Sequence, residues 1–467
     1  MFHASDPNGW HTKANSMNHG IVSLVPVALT LSLTFYSRNV ILALLAGVCA
    51  GGVLLDVAQG TLFTGINSIA AVFASGWAAK AILFVLLTGS LVHVIEQSGG
   101  VNGFVRLLTE KRRAVKSVLG AEVLAYLLGI VLFVDTTSSI VIRGVSTKPF
   151  FDTYDGPREK LSYIIDSTSA PVAFLSPATS AGAFLAALIG VQVSSGVISG
   201  DPFSFVLKAL PFQIYSIISV IIVGVTIFRR KAVTSPGSGP FKTESDRHPE
   251  SFHGAIEPKA VNMMLPMGIF ITGTFGLMVL TGDGSTAIFT GILLTLLATG
   301  VLYKAQGIAD TQGYINWCIQ GMASYLEVAL ILTLSFALSD LLNRLGTGAY
   351  LAGFGHHVQP ALVPAMVFLS GALISFMSGT GGGTLSILVP ISIPLAVAMD
   401  VNVPLVLGAC GSGAVFGDHC SPISDTTILT AKVAEVDVMD HVRHQLPYAL
   451  TGGIISTLMF LVLGRVF

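Results

Sequence analysis

The sequence predicts an all-α polytopic membrane protein whose helices form two inverted-topology repeats. Over 467 residues the chain is 52% hydrophobic and only 10% charged, whereas soluble domains carry about 25% charged residues. Residues 361–399 contain no charged side chain. A third observation is that similar polar interruptions occur in apolar segments of both halves. Such matching indicates internal duplication, with each repeat holding a re-entrant hairpin and a broken helix.

Apolar runs near the length of a membrane-spanning helix, about 20 residues, predict most of the transmembrane helices. The predicted spans are 21–37, 40–58, 61–79, 81–97, 205–228, 261–281, 285–303, 322–342 and 446–464. One crossing in each of two broken segments, identified below, brings the total to about 11 transmembrane helices. Residues 1–39 then form an N-terminal tail and one extra helix outside the repeats.

Basic residues orient these helices, because short cytoplasmic loops collect Lys and Arg. Fifteen of the 24 basic residues fall in segments 106–116, 143–160 and 229–259, which are therefore predicted to be cytoplasmic. Residues 117–142 are apolar and lie between two of these segments, so we expect a hairpin that enters the membrane and returns. Residues 161–191 must then cross as a helix broken near its centre.

The second half repeats this plan. The first repeat covers residues 40–228, the cytoplasmic linker covers 229–259, and the second repeat covers 260–467. Within the second repeat, the hairpin is predicted at 361–399 and the broken helix at 403–433.

The two halves stay in register. Phe133 and Phe376 at the hairpin tips are 243 residues apart, and the two Ser-Pro pairs, beginning at Ser176 and Ser421, are 245 apart. The interface of inverted repeats normally carries the substrate site near the middle of the bilayer.

Pro177 and Pro422 are the predicted helix breakers. Each lacks a backbone N–H and clashes with the preceding turn, which frees carbonyl groups for an ion. The alternative is a simple kink, which is common in membrane helices.

Asp418 and Asp425 flank the second break, seven residues apart. Oxygen ligands suit a hard cation such as sodium, and a buried carboxylate can alternate between protonated and ion-bound forms. These two acids are the predicted sodium ligands. Asp425 has an alternative role as the N-cap of a helix over 426–433.

Other candidates are less distinctive. Asp135 at the first hairpin tip and Asp166 are the acids of the first repeat, and both have helix capping as an alternative. His419 is a candidate proton relay or a structural hydrogen-bonding group. Nine of the eleven histidines fall in predicted tails or loops, where solvated surface is the default. Side-chain or backbone groups that could bind an ion or substrate, or cap helix ends instead, are those of Thr136, Thr137, Ser138, Ser176, Thr179, Ser378, Gly379, Thr380, Ser421 and Ser424.

Two segments resemble a known family. The run Gly-Asp-His-Cys-Ser-Pro-Ile-Ser-Asp-Thr-Thr-Ile at 417–428 closely resembles the signature of the NhaC-type sodium/proton antiporter family of the ion transporter superfamily, and residues 158–171 resemble its counterpart in the first repeat. The resemblance implies two hairpins and two broken helices. It places these residues in the ion or substrate region: Asp166, Ser167, Asp418, Ser421 and Asp425.

One departure from the family bears on cargo. Many relatives have two adjacent acids at the first hairpin tip, whereas Asp135 is followed here by Thr136 and further hydroxyl residues. One fewer negative charge would change stoichiometry or make room for an anionic solute. Relatives also include carriers of carboxylates and amino acids.

The expected function is secondary active exchange of sodium for protons across the bacterial cytoplasmic (inner) membrane by alternating access. The alternative is a sodium- or proton-coupled transporter, symporter or exchanger, of a small carboxylate or amino acid. In that case the N-termini of the half-helices would hold the carboxylate, with Arg143 as a less favoured partner for it. The sequence contains neither an HExxH motif nor a nucleophile-elbow motif, so we do not expect an enzyme. We expect no cofactor besides the coupling sodium ion and proton. The expected partners are membrane lipid and a small ion or solute, not nucleic acid, and a homodimer is compatible with the sequence.

Overall fold

The computed structural model confirms the all-α membrane fold. All regular structure in the described part of the chain is helical, with no strand. The description covers residues 20–37, 39–55, 63–110, 115, 117–132, 136–177, 179–228, 257–281, 284–347, 350 and 359–467. Asp135 and residues 229–256 of the predicted linker lie outside these ranges.

Twelve α-helices are described in the first half. In chain order they are α1 (Val25–Ser37), α2 (Val40–Leu55), α3 (Phe63–Ala74), α4 (Gly76–Gln97), α5 (Gly100–Glu110), α6 (Val118–Val131), α7 (Thr136–Thr153), α8 (Arg158–Ser167), α9 (Ala170–Phe174), α10 (Ser180–Ser194), α11 (Pro202–Ala209) and α12 (Ile214–Phe228).

Nine more α-helices are described in the second half. They are α13 (Val261–Thr281), α14 (Gly284–Ala305), α15 (Thr311–Ser324), α16 (Leu326–Arg344), α17 (Val363–Ser378), α18 (Gly381–Ala398), α19 (Val403–Cys420), α20 (Asp425–Ala434) and α21 (Val438–Val466).

Several of these helices have the length and composition of membrane spans. Among the described residues, six are long and apolar enough to cross a membrane, and a bent pair, 202–212 with 214–228, supplies a seventh. Shorter apolar helices of 10–17 residues occur as well. Two of the six, 360–378 and 381–398, are the arms of the predicted second hairpin and are not among the predicted spans. The other four and the bent pair account for five of the predicted 11 spans, so about six predicted spans fall on helices outside this set, most of which are shorter or broken.

Three predicted spans prove to be interrupted. The span predicted at 205–228 bends by 44°, where a 3-10 turn at Leu210–Phe212 contains Pro211 and its missing N–H. The span at 61–79 ends at Ala74, because Ser75 accepts a hydrogen bond from the Ala78 N–H and caps a new helix. The span at 322–342 is divided at Tyr325 between α15 and α16.

Helix pairs occupy both predicted hairpins, but their arms are longer than expected. In the second pair, α17 has 16 residues and α18 has 18, or about 24 and 27 Å at about 1.5 Å per residue. Both helices are long and apolar enough to cross a membrane. In the first pair, α7 continues to Thr153, beyond the predicted end at 142.

The α17 and α19 helices touch backbone to backbone. A Cβ atom added at Gly413 would lie 2.3 Å from the Phe368 carbonyl oxygen, and one at Gly417 would lie 2.2 Å from that of Ala372. Small residues permit such close approach between membrane helices. This packing fixes the second hairpin against the helix that leads into the second break.

The largest apolar core joins helices from both halves. Leu44, Leu188, Leu338, Leu388 and Leu407, from α2, α10, α16, α18 and α19, belong to one buried cluster. Outward-facing apolar side chains on α14 and α21, such as Val301 and Ile454, remain exposed, as expected for surfaces that contact lipid.

Candidate cation site and a buried polar cluster

The second helix break is attached directly to the tip of the second hairpin. The Ser421 hydroxyl donates a 2.7 Å hydrogen bond to the carbonyl oxygen of Phe376. Gly379 ends α17 with φ 69°, a left-handed conformation that favours glycine. A Cβ at Gly379 would also lie 2.7 Å from the Ile423 carbonyl oxygen. The turn around Pro422 and the hairpin tip therefore form one packed unit.

Asp418 lies in the last turn of α19, at this junction, and is only 5% exposed. Its Oδ1 accepts a 2.8 Å hydrogen bond from the Ser424 hydroxyl, and the Thr426 hydroxyl lies 3.4 Å from Oδ2. No Lys, Arg or His among the described residues forms an ion pair with this carboxylate. The negative charge is thus buried among hydroxyl groups without a basic partner.

Asp425 is the first residue of α20. Its Oδ1 accepts a 2.8 Å hydrogen bond from the Thr426 N–H, a contact of the helix-capping kind. The residue in the N-cap position is Ser424, whose side chain makes no capping bond and instead donates to Asp418. Asp425 also faces the same cavity as Asp418.

A central cavity of about 570 Å³ lies beside these two acids. Its wall carries four carboxylates, from Glu96, Glu327, Asp418 and Asp425, together with His93. None of the described residues that line it is Lys or Arg. The cavity is therefore strongly acidic along its described wall.

The N-terminal ends of several helices reach this cavity. The lining includes the first residues of α7, α9, α10, α18 and α20: Thr136, Ala170, Ser180, Gly381 and Asp425. The first N–H groups of a helix have no intrahelical acceptor and carry a partial positive charge. These ends partly offset the charge of the acids around them.

Two of the predicted hydroxyl ligands, Thr179 and Thr380, cap helix starts. Thr179 accepts from the Gly182 N–H at 3.1 Å and donates to the carbonyl oxygens of Ala173 and Ser176. Thr380 accepts from the Gly383 N–H at 3.4 Å and also lines the cavity.

The remaining predicted positions are less informative. Ser378 is buried with a long 3.5 Å contact to the Ser375 carbonyl oxygen. Pro177 lies between α9 and α10, so a break occurs there as well. Thr137 is within α7, but its side chain, like Asp135, lies outside the described set.

A second polar cluster surrounds Asp166, which is 1% exposed and does not line the cavity. Gln445 donates a 2.7 Å hydrogen bond to Asp166 Oδ2, and His441 Nε2 lies 3.3 Å from the same oxygen. His419 Nε2 is 4.0 Å away. This cluster, defined by Asp166, His419, His441 and Gln445, will be called the Asp166 cluster.

His419 joins this cluster and does not face Asp418's cavity. Its Nε2 lies 2.8 Å from the Ser167 hydroxyl, and its Nδ1 lies 2.6 Å from the Tyr215 hydroxyl. Gln445 also donates to its carbonyl oxygen. Ser167 and His419 are thus brought together by direct contact between the α8 and α19 ends, which belong to different halves of the chain.

Two histidines that were predicted to be solvated, His441 and His444, are buried. The last span was predicted to begin at 446, but α21 begins at Val438. His441 is fully buried, with Nδ1 2.7 Å from the Ser162 hydroxyl, and His444 is buried near Tyr163. The Asp437 side chain caps this helix start and was a usable signal, because Asp followed by helix formers marks an N-terminus.

Arg143, counted among the basic residues of the predicted cytoplasmic segment 143–160, is buried inside the protein. It lies inside α7 and is 0% exposed. Its guanidinium donates to the hydroxyls of Thr168 and Ser169, between α8 and α9, and to the Ser139 carbonyl oxygen. Arg143 therefore supports the turn between α8 and α9, which we call the first break. It is not among the described residues that line the central cavity.

The described residues contain no group of three or more His, Cys, Asp or Glu side chains arranged to hold a metal ion. A cation beside Asp418 would rely on carboxylate, hydroxyl and backbone oxygens. Such an oxygen set suits a hard monovalent ion better than a transition metal, which prefers imidazole or thiolate ligands.

A polytopic helical bundle with a buried acid at a helix break beside a polar cavity defines a membrane transporter. The chain belongs to the Na+/H+ antiporter family, whose model matches residues 191–465. This result confirms the resemblance found in the signature at 417–428.

The chain is also similar in sequence to individual bacterial proteins, two of which are antiporters. An uncharacterized protein of Haemophilus influenzae is 29% identical over 95% of this chain and 90% of its own length. The malate-2H(+)/Na(+)-lactate antiporter of Bacillus subtilis is 31% identical, but over 32% of each chain. The Na(+)/H(+) antiporter NhaC of Alkalihalophilus pseudofirmus is 29% identical over 23% of each chain.

The fold also resembles a solved structure. MtrF of Neisseria gonorrhoeae, described with a class of antimetabolite efflux pumps, superposes with a TM-score of 0.64 over 94% of both chains, at 16% sequence identity. At that identity the likeness concerns the fold alone.

Proposed function

We propose that the protein exchanges Na+ for H+ across the bacterial cytoplasmic membrane, with Asp418 as the carboxylate that the two ions occupy in turn. The observation that carries this proposal is the position of Asp418 at a helix break, buried beside the cavity and without a described basic partner. Membership of the Na+/H+ antiporter family supports it.

Burial decides how Asp418 behaves. An ionised carboxylate out of water is costly unless a proton neutralises it or a cation pairs with it. The hydroxyl oxygens of Ser424 and Thr426 adjoin its two carboxylate oxygens and supply further ligands for Na+. One carboxylate that accepts either H+ or Na+, but not both, couples their movements in opposite directions.

The junction between the break and the hairpin suggests how access alternates. Ser421 bonds to Phe376, and Gly379 packs on Ile423, so the second hairpin and the cation site would move together. We infer that this unit shifts against the rest of the bundle to open the cavity to one side at a time.

The proposal is tested with purified protein in liposomes. Asp418→Asn keeps the shape of the side chain but removes the ionisable group, so uptake of radioactive sodium driven by a pH gradient should fall to background. Asp440→Asn is the matched control, because Asp440 is an exposed acid of α21 whose ion pair among the described residues is with Arg443. Full activity of folded Asp418→Asn protein would refute the assignment.

A second candidate is a sodium- or proton-coupled transporter of a small organic solute. Its supporting observation is the cavity volume of about 570 Å³, which lies within the roughly 300–1,000 Å³ of small-molecule pockets. The malate-2H(+)/Na(+)-lactate antiporter is a relative over about a third of its length. Sodium-driven proton movement with no organic solute present favours the first candidate, and flux that requires a solute favours the second.

A further inference from the structure

We propose that ions reach the central cavity from the outer side of the membrane through a second cavity, and that the ring of Phe84 closes this route. The inference rests on the proposed function and deepens it, because it assigns the outer path to the cation site at Asp418. It starts from three cavities that follow one another along α4.

A cavity of about 400 Å³ lies where α4, α10, α11 and α14 meet, and we call it the outer vestibule. Of its lining residues, Lys80 and Ser194 are exposed and Phe203 is buried. Residues 192–204, around the connection between α10 and α11, contain no Lys or Arg, unlike the basic segment 106–116 beyond the other end of α4. The positive-inside rule therefore puts the vestibule on the outer side of the membrane.

One row of side chains on α4 leads from the vestibule to the central cavity. Residues four apart on a helix form a row that is slightly inclined to its axis. Lys80 and Phe84 line the vestibule, and Glu96 lines the central cavity. Between them, Thr88 and Val92 line both the central cavity and a small intervening cavity.

The barrier between the vestibule and the inner cavities is one side chain thick. Phe84 lines both the vestibule and the intervening cavity, and Ala183 of α10 lines both the vestibule and the central cavity. Phe84 is 6% exposed and Ala183 is 1% exposed, and both belong to one buried apolar cluster. A phenylalanine ring can move aside by changing rotamer, whereas alanine has no such freedom. Phe84 is therefore the side chain that can open and close the route.

The intervening cavity does not offer an ion a place to stay. Its volume is about 10 Å³, close to the least that holds one water molecule. The hydroxyls of Thr88 and Thr179 in its wall already donate to backbone carbonyl oxygens. An ion there would lose its hydration without gaining ligands, and apolar constrictions of this kind close a pore by excluding water.

The charges along the route favour a cation on its inner side. The described charged side chains of the vestibule are Lys80 and Asp201, whose charges offset each other. Beyond Phe84, the described wall of the central cavity carries four carboxylates and neither Lys nor Arg. A cation that passes the ring therefore enters a region of lower electrostatic energy and is drawn towards Asp418.

The first experiment measures access to Thr88 and does not depend on transport. Thr88→Cys protein in right-side-out membrane vesicles is treated with a small charged thiol reagent that does not cross the membrane. Adding Phe84→Ala should make this cysteine react at least about tenfold faster, because water and the reagent then pass the constriction. Protein without the Thr88→Cys change corrects for the four native cysteines.

Phe289→Ala is the matched control in the same assay. Phe289 lines the vestibule but neither of the inner cavities as described, so its loss should leave the reaction rate at Thr88→Cys unchanged. Equal rates with and without the Phe84 ring, in protein that elutes as a folded monodisperse species, would overturn the role of Phe84.

The second experiment measures coupling in liposomes. Without its ring, Phe84→Ala should let sodium pass with no pH gradient, so this uncoupled uptake should rise at least about tenfold over that of the wild type. Phe84→Leu keeps an apolar side chain at the constriction and should keep uptake dependent on the gradient. A purely structural role for Phe84 would lower uptake with and without the gradient and would not produce a leak.

A third experiment decides the matter if Phe84→Ala does not fold. Ser194→Cys places a thiol in the vestibule, and a bulky reagent attached there from outside should block sodium/proton exchange. Ser195→Cys is the control, because Ser195 is an exposed neighbour that does not line the vestibule as described. Unchanged exchange in fully labelled Ser194→Cys protein would show that the vestibule is not on the route.

The outcomes separate this inference from the proposed function. Absence of sodium/proton exchange in the wild type would refute the proposed function, while the reaction at Thr88→Cys would still report whether Phe84 closes the outer path. Normal exchange that is insensitive to labelling at Ser194→Cys would leave the proposed function standing and remove the outer route.

Discussion

The two helix breaks of the protein are built from similar residues but handle charge in different ways. At the first break, Asp166 is enclosed by Gln445 and His441, and the guanidinium of Arg143 occupies the turn between α8 and α9. At the second break, the side chains described as bonding to the Asp418 carboxylate are the hydroxyl groups of Ser424 and Thr426, and Asp418 faces the cavity.

This difference indicates that the two breaks have different roles. At the first break, the Arg143 side chain supplies a positive charge, and Asp166 has several hydrogen-bond partners. No Lys, Arg or His among the described residues pairs with Asp418 at the second break. Under the proposed function, a sodium ion or a proton neutralises this acid. We infer that the first break is chiefly a rigid support and that the second exchanges ions.

Arg143→Ala is expected to have the largest effect on stability. The change removes a fully buried side chain that donates to Thr168, Ser169 and Ser139, at a cost of at least about 3 kcal/mol. The midpoint of thermal unfolding in detergent measures it. Lys148→Ala, at a partly exposed position of the same helix, is the control and should shift the midpoint far less. Equal shifts for both variants would show that Arg143 does not support the first break.

Asp166→Asn is expected to have a moderate effect. His441 and Gln445 would lose a charged acceptor, which should cost about 1–3 kcal/mol of unfolding free energy. Sodium uptake should nevertheless remain measurable in protein that is still folded, unlike that of Asp418→Asn. A stable Asp166→Asn protein with no sodium uptake would show that both breaks handle ions, and the proposed division of roles would then be wrong.

Glu435→Gln is expected to have the smallest effect. Glu435, in the turn between α20 and α21, bonds to Lys148 and Arg158 from the first half. The Lys148 contact lowers the pKa of Glu435 below its ordinary value, with Arg158 adding to the effect. Its contribution to stability is therefore present above the ordinary glutamate pKa and is lost as the pH falls through the lower value of the folded state.

Because Glu435 is 44% exposed, solvent screening should keep that contribution below about 1 kcal/mol. Unfolding midpoints of the wild type and Glu435→Gln, compared at neutral and acidic pH, measure it. The two proteins should converge at acidic pH, and a difference that grows on acidification would contradict the assignment.

Much of the fold was predictable because its signals are local. Charge-free apolar runs, proline positions and the 417–428 signature identified the helices, both helix-pair segments and the second break. The starts of α4 and α21 were misplaced because Ser75 and Asp437 cap helices inside segments that hydropathy treats as continuous or as loop. Hydropathy averages over a window and does not register a single capping side chain.

The site was predictable in part. Asp418 and Asp425 flank a proline in an otherwise apolar segment, which is a strong local signal. The partnership of Asp166 with His441 and Gln445 spans more than 270 residues, and no spacing rule connects them. The burial of Arg143 was not predicted, because the positive-inside rule counts basic residues by their position in the sequence. It does not tell whether a given side chain is buried in the protein.

The last helix sets the order in which the protein can be completed during synthesis. At 29 residues, or about 44 Å at about 1.5 Å per residue, α21 is longer than the membrane interior, and its first two turns bring His441 and Gln445 to an acid made almost 280 residues earlier. Until the ribosome has delivered this segment, Asp166 lacks those two partners. The Asp166 cluster is therefore completed only after α21 has been made, and a chain truncated before residue 441 should unfold at a lower temperature than the full chain even though both of its helix pairs are present.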